Sequence, residues 1–147
     1  MDRIQNNVKL EVTILDPRGQ IPTRNRKTDV CYDLYAIEDT RINYHNVVSI
    51  RTGIAIAAPP GYYYTLEGRS GLNKQGLMVF HGIIDSTYTG EIIVMIFGAL
   101  FNAQVQSGDR IAQLILHRQI DIEFALVDEF SPIYNQRGAA GWSSSGR

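Results

Sequence analysis

The sequence predicts an all-β chain folded as a jelly-roll-like barrel or sandwich. Three observations carry that expectation. Apolar and polar residues alternate over short stretches, as in Val8, Leu10, Val12 and Ile14, and again in Val48, Ile50, Thr52, Ile54 and Ile56. Turn chemistry separates these stretches at Asp16-Pro17-Arg18-Gly19, at Pro59-Pro60-Gly61 and at Ser107-Gly108-Asp109. Only one segment, close to residues 70–76, has the composition of a helix, and Gly76 closes it.

Taken in order, Val8 to Ile14 is a half-buried strand. Thr23 to Asp29 is a polar loop in which Arg24, Arg26 and Lys27 read as surface charges. Tyr32 to Ala36 is a strand with Tyr32, Leu34 and Ala36 on one face and Asp33 on the other. Val48 to Ala58 and Tyr62 to Leu66 follow as strands, the three tyrosines packing with one ring exposed. Leu77 to Phe80 and Ile92 to Phe97 flank a polar hairpin. Gln104 to Gln106 is a short extended piece, Ile111 to Leu116 a strand, and Ile122, Phe124 and Leu126 alternate as one more. The total is about eight to ten short strands. From Ser131 the character changes to a Gly/Ser-rich tail. The expected organisation is one domain over residues 1–130 and a flexible C-terminal arm over 131–147.

Bulk composition narrows the function classes. A chain of 147 residues that is 44% hydrophobic and 20% charged is a globular domain. Its 14 basic and 15 acidic residues give a net charge of -1, which argues against a nucleic-acid binder while leaving room for a small anion held by a few local cations. The single cysteine, Cys31, rules out an internal disulfide and fits a reducing compartment. Met1 to Asn6 has no apolar signal core, and the longest near-apolar run, Ile92 to Phe101, is too short for a bilayer. The expectation is a protein of the cytoplasm or another intracellular compartment, with no membrane partner.

Three segments carry chemistry. The stretch from His81 to Glu91 places Asp85, Ser86, Thr87 and Tyr88 between two apolar strands, more than a tight turn requires. Such a slot can present backbone groups to the edge of a flat ligand, and as plain structure it is a surface hairpin with Asp85-Ser86 as turn residues. Arg69-Ser70-Gly71, at a helix start, suits a phosphate: N–H groups point outward, Gly permits close approach and Arg supplies a forked cation. It also suits a plain helix cap. Arg137 to Gly146 places one large aromatic, Trp142, inside a Gly/Ser tail, which suggests a lid with Arg137 as an anion grip.

Together these segments resemble the trimeric dUTPase family, whose five motifs occur in order and spacing. They are Val30 to Ala36 (VCYDLYA), Gly68 to Leu72 (GRSGL), Gly82 to Gly90 (GIIDSTYTG), Gly108 to Ile115 (GDRIAQLI) and Arg137 to Trp142 (RGAAGW). The resemblance runs from about residue 8 to the end. It implies a jelly roll of the β-clip type and a homotrimer whose active sites draw on three subunits. The implied reaction is hydrolysis of dUTP to dUMP and pyrophosphate with Mg²⁺, lowering dUTP and supplying dUMP for thymidylate synthesis. Asp85 then corresponds to the general base for water attack at the α-phosphorus. Gln113 corresponds to a contact with phosphate and water. Arg69, Ser70 and Gly71 correspond to phosphate ligands. The backbone of Gly82, Ile83, Ile84 and Ile93 corresponds to the reader of the uracil edge, and Tyr88 to the ring beneath the deoxyribose. Asp33 corresponds to a carboxylate that holds Mg²⁺ through water. Arg137, Trp142, Ser143 and Ser144 belong to the arm that closes over the nucleotide.

The chain departs from the family pattern at Val30-Cys31 (usually Ala-Gly), Gly68 (usually Pro), Phe80-His81 (usually small or amide residues), and Ala140, Trp142 and Ser143 (usually Gly, Phe and Gly). Two rivals stand beside this expectation. One is a dCTP deaminase relative of the same architecture, for which no motif supplies a carboxylate aimed at C4 of cytosine. The other is a dUTPase-like regulatory protein acting mainly by binding other proteins, against which Asp85 weighs.

Overall fold

The computed structural model describes residues 7–134. Ten strands and one short helix follow the predicted order. The strands are β1 (Glu11–Ile14), β2 (Tyr32–Tyr35), β3 (Thr40–Ile42), β4 (Val47–Ala57), β5 (Tyr62–Glu67), β6 (Leu77–Val79), β7 (Gly82–Ile84), β8 (Glu91–Gly98), β9 (Ala103–Val105) and β10 (Arg110–Arg118); the helix is α1 (Ser70–Lys74). One sheet has the order β1-β4-β8-β6 and the second β2-β10-β5-β7, with β3-β9 a separate pair. The pairs are antiparallel, and the described strands do not close into a barrel.

Alternation decides which side chains enter the space between the sheets. Ile50, Ile54 and Ile56 of β4 and Ile92, Val94 and Ile96 of β8 meet Leu34, Tyr64, Leu66 and Leu114 of the second sheet, all buried. Each Leu or Ile so placed is worth about 1.5–3 kcal/mol of transfer free energy. Of the three tyrosines of β5, none is left in solvent. Tyr64 lies in the core and donates to the Ile56 carbonyl at 3.0 Å, while Tyr62 and Tyr63 are half-buried.

Four local features differ from the sequence-based expectation. β1 begins at Glu11, because only residues 11–14 find partners on β4. β3 has no alternating signature; its pairing with β9 comes from the fold, not from propensity. The helix spans five residues, because Gly76 adopts φ 72 and packs so closely on Leu100 that a Cβ there would lie 2.6 Å from it. The fourth difference is the segment of Ile122, Phe124 and Leu126, which is not a strand. Its apolar side chains stand in solvent, Phe124 88% and Leu126 102% exposed, because no described strand pairs with it. Regular structure beyond β10 is limited, among the described residues, to a single 3₁₀ turn at Pro132–Tyr134.

The central hairpin is wider than two adjacent strands. β6 and β8 pair in the first sheet, but the chain crosses after Phe80 so that β7 pairs with β5 in the second. The excursion bridges the two sheets and holds Asp85 and Tyr88 at their margin.

Candidate active site

Strand register builds a polar cleft. Gln113 of β10 lies between Asp33 of β2 and Glu67 of β5, so all three project from the outer face of the second sheet. β5 runs out at Glu67, and the next residues turn into α1, bringing Arg69 back over Asp33. The Arg69 Nε lies 2.9 Å from Asp33 Oδ1, and the Arg110 Nη1 lies 3.5 Å from Oδ2. Gln113 donates from Nε2 to the Gly68 carbonyl at 2.7 Å, and Arg69 Nη1 donates to the Arg110 carbonyl at 3.3 Å. Arg24, Asn25, Asp29, Val30 and Cys31 form the opposite wall of a cleft of ≈ 410 Å³. Three guanidinium groups against the carboxylates of Asp29 and Asp33 leave it cationic. Ser70 and Gly71 stand exposed in the first turn of α1, and nothing lies within 4 Å of where a Gly71 Cβ would be. That open approach suits a bulky anion.

Two of these cations escape sequence reading. Arg24 sits in a segment that reads as a solvated loop, yet the pairing of Thr23 with Asp33 carries it to the cleft, where its guanidinium covers the Tyr32 ring at 5.1 Å. Arg110 lies in the GDRIAQLI motif, and only the register of β2 on β10 reveals its pairing with Asp33. The thiol of Cys31 is pushed up by burial first, then by Glu67, Asp33 and Asp29, so it lines the cleft as a neutral, weakly reactive group.

The donors test the metal assignment. Both Asp33 oxygens are engaged by arginines, and among the described residues no group of three His, Cys, Asp or Glu side chains is placed to hold an ion. Asp33 is thus the one assigned carboxylate, and it would reach a Mg²⁺ that keeps its waters only through one of them.

The hairpin is organised differently. Asp85 is exposed, and among the described residues its carboxylate has no hydrogen-bond or ion partner. A turn closes behind it, with the Tyr88 N–H donating to the Asp85 carbonyl at 3.1 Å. The Tyr88 hydroxyl donates to the Glu91 carbonyl at 2.9 Å, and its ring lies so near Gly90 that a Cβ there would meet the hydroxyl at 2.5 Å. Gly82 to Ile84 pair with Leu66 to Tyr64, and Ile93 faces outward from β8 opposite Arg51.

The cleft and Asp85 do not meet within one chain. Gln113 is level with Glu67, whereas Ile84, next to Asp85, is level with Tyr64 and stands two strands away. Three residues along and two strand spacings across amount to roughly 14 Å. Between them, His81 Nδ1 lies 3.0 Å from Glu67 Oε1. Burial raises the Glu67 pKa, but hydrogen bonds from His81 and Thr65 outweigh it and hold the carboxyl below its ordinary value. Arg137, Trp142, Ser143 and Ser144 lie outside the described residues.

A second cleft of ≈ 250 Å³ opens between the sheet edges, lined by Leu10, Val12, Ile21, Tyr32, Leu114 and Leu116 among others. It holds no acid, base or cation, so it offers apolar surface and no chemistry.

The dUTPase family model matches residues 18–146. The deoxyuridine 5'-triphosphate nucleotidohydrolase of Candida albicans is 31% identical over 147 residues, covering 99% of this chain and 92% of that protein. The protein of that name from Thermobifida fusca is 38% identical, over 95% of this chain and 79% of its own length. Among solved structures, the Staphylococcus bacteriophage 80alpha dUTPase with dUpNHpp superposes with a TM-score of 0.86 at 27% identity, over 95% of this chain and 99% of that one. A mutant dUTPase from phage phi11 of S. aureus, whose structure details the coordination of a structural Mg(II) ion, gives 0.76 at 27% identity, over 83% and 98% of the two chains.

Proposed function

The chain belongs to the dUTPase family and is a dUTP diphosphatase of jelly-roll-like β fold, and from that premise we propose how its own residues divide the hydrolysis of dUTP to dUMP and pyrophosphate. The cationic cleft takes the triphosphate. Arg69 and Arg110 are set by Asp33, Gln113 is set by the Gly68 carbonyl, and Arg24 and the open turn at Ser70-Gly71 complete the grip. That convergence is the observation that carries the assignment. Preset donors cost no reorganisation when charge develops on the phosphates.

The main chain of Gly82, Ile83, Ile84 and Ile93 reads the uracil edge, and the Tyr88 ring lies beneath the deoxyribose. Asp85, which has no partner among the described residues, takes the proton of a water that attacks the α-phosphorus. A P–O bond forms from that water, the bond to the bridging oxygen breaks, and pyrophosphate leaves, assisted by Gln113 and the arginines. Mg²⁺, when bound, would neutralise and orient the triphosphate, and Asp33 would be the carboxylate that holds it through water. The arm over 131–147, with Arg137, Trp142, Ser143 and Ser144, closes over the nucleotide.

The enzyme assembles as a homotrimer with shared sites. The roughly 14 Å from Gln113 to Ile84, with Asp85 one residue beyond, supports this, because the base and the phosphate grip must meet at one α-phosphorus. The exposed alternation of Ile122, Phe124 and Leu126 and the apolar cleft at Leu10 and Leu116 support it too, as apolar surface left open among the described residues of one chain. No described helix is long and apolar enough to cross a membrane.

The test is pyrophosphate release from dUTP, dCTP, dTTP and UTP, with light scattering on the same sample. Turnover of dUTP far above the other three, by a particle near three times 16.5 kDa, is the expected result. Turnover of dCTP comparable to dUTP would remove the uracil-reading role, and a fully active monomer would remove the shared site.

A further inference from the structure

The ring assigned to the sugar is tethered through a second residue to the wall of the fold. β4 and β8 pair regularly as far as Arg51 and Ile93, and pairing resumes only at Ala55 and Glu91, so Thr52, Gly53 and Ile54 stand opposite Ile92 alone. This bulge turns the Gly53 N–H off the ladder. Gly53 has φ 68, and a Cβ there would meet Asp16 and Ile37 side-chain carbons at 3.0 Å, so the position is restricted to Gly. The Glu91 carboxylate fills the opening: its Oε1 accepts from Gly53 N at 2.8 Å, and both oxygens accept from Arg51 Nε at 3.2 Å. The Glu91 side chain is only 20% exposed. The main-chain carbonyl of the same residue accepts the Tyr88 hydroxyl at 2.9 Å.

We infer that Glu91 is a positioning residue for sugar selection, and that the Arg51–Glu91–Gly53 clamp sets how strictly Tyr88 excludes a 2′-hydroxyl. The inference rests on Tyr88 being the ring beneath the deoxyribose. A steric filter discriminates only as far as its wall stays in place. Rotation of an unheld tyrosine about χ1 carries its hydroxyl several ångströms, on the order of the space a hydroxyl needs. Here the backbone bond at one end of Glu91 stops that rotation, and the carboxylate bonds at the other end stop Glu91 itself from moving. Gly90 lets the ring lie flat against the strand. The chain thus joins the sugar wall to the β4 bulge through one residue.

The test compares kcat/KM for dUTP and UTP in four variants, with dCTP as a base-selection control. Glu91→Ala should lower the dUTP-over-UTP ratio roughly tenfold, mostly through better use of UTP, and leave the dUTP-over-dCTP ratio unchanged. Glu91→Gln keeps an oxygen for the Gly53 N–H and should recover most of the ratio. Tyr88→Phe cuts the tether without touching the bulge and should reproduce the Glu91→Ala loss. The Glu91→Ala/Tyr88→Phe double variant should be no worse than either single one, since both break one path. Equal losses for all three nucleotides in Glu91→Ala, or full addition of the two losses in the double variant, would overturn the inference. Tyr88→Ala is the separate control. If it leaves the dUTP-over-UTP ratio intact, the sugar-reading role of Tyr88 falls, and this inference with it.

Discussion

The cleft around Asp33 and the hairpin around Asp85 are opposite solutions to placing charge. In the cleft the central carboxylate and amide are already engaged by neighbours. Asp33 holds two arginines, Gln113 holds the Gly68 carbonyl, and the Asp33 side chain is only 15% exposed. In the hairpin the carboxylate is exposed, and among the described residues no partner competes for it. The difference separates binding from proton transfer. Groups that grip a polyanion gain from being preset and mutually neutralised. A base must keep its lone pairs available, and burying it against a cation would depress its basicity. The hairpin fixes only what must be rigid beside the base, the Tyr88 ring.

This contrast is sharpest in turnover. Asp85→Asn should keep analogue binding within a few-fold and lower kcat by on the order of 10² to 10⁴-fold. Stopped-flow binding of a non-hydrolysable dUTP analogue beside steady-state turnover checks it; near-normal kcat would put the base elsewhere. Arg69→Ala should do the reverse in kind and less in size. It removes a charge-assisted contact and leaves Asp33 with Arg110 alone, so kcat/KM should fall roughly 10- to 100-fold, with KM carrying a clear share. A change confined to kcat would mean that Arg69 meets the substrate only in the transition state.

The same contrast explains what the sequence could tell. The strands of the core were legible because alternation and turn residues reflect the burial they cause: Ile50, Thr52, Ile54 and Ile56 alternate in the sequence and all four are buried. The motif residues were legible through family resemblance, which names Arg69, Asp85 and Gln113 without their geometry. The partnership of Asp33 with Arg69 and Arg110 was not legible, because it depends on the register of β2 on β10 and on the turn after β5. Arg24 is exposed, as its polar loop suggests, but its position at the rim of the cleft is not legible, because it comes from the bridge between Thr23 and Asp33. Glu91 was invisible because its role depends on a bulge in β4, and a bulge leaves no periodic mark. Ile122, Phe124 and Leu126 show the converse failure. Their alternation promises a strand, but a strand needs a partner, and the described chain offers none.

That unpartnered segment supports a third prediction, intermediate in size. If a second copy covers it, Phe124→Asp should weaken assembly by about 2–3 kcal/mol per site, the transfer value of a buried aromatic. Light scattering across a dilution series should show dissociation at concentrations where the parent chain stays assembled, and activity should fall in step. A variant that remains assembled and active on dilution would place Phe124 in solvent in the working enzyme.

The smallest effect concerns Glu67, which stands beside Gln113 in register on one side and holds His81, at the entry to the hairpin, on the other. Its carboxyl is held below the ordinary 4.5, burial being outweighed by hydrogen bonds from His81 and Thr65. A carboxyl whose folded pKa is depressed contributes stability above its unfolded pKa and loses it as pH falls through the folded value. The stability that the ionised Glu67 carboxyl contributes should therefore be present above about pH 4.5 and be lost as pH falls through its depressed folded value. The His81 side chain is 55% exposed and that of Glu67 30%, so solvent screens the pair. Its worth is under about 1 kcal/mol. His81→Gln should lower the neutral-pH Tm by only a few degrees and should flatten the acid limb of the Tm profile, since less stability remains to be lost there. Because His81 leads into Gly82 of β7, the loss should also show in hydrogen exchange at Gly82 to Ile84 before it shows in the cleft. If the acid limb keeps its slope in the variant, Thr65 and not His81 holds Glu67 ionised, and the crossing between the sheets is fixed by the β5–β7 ladder alone.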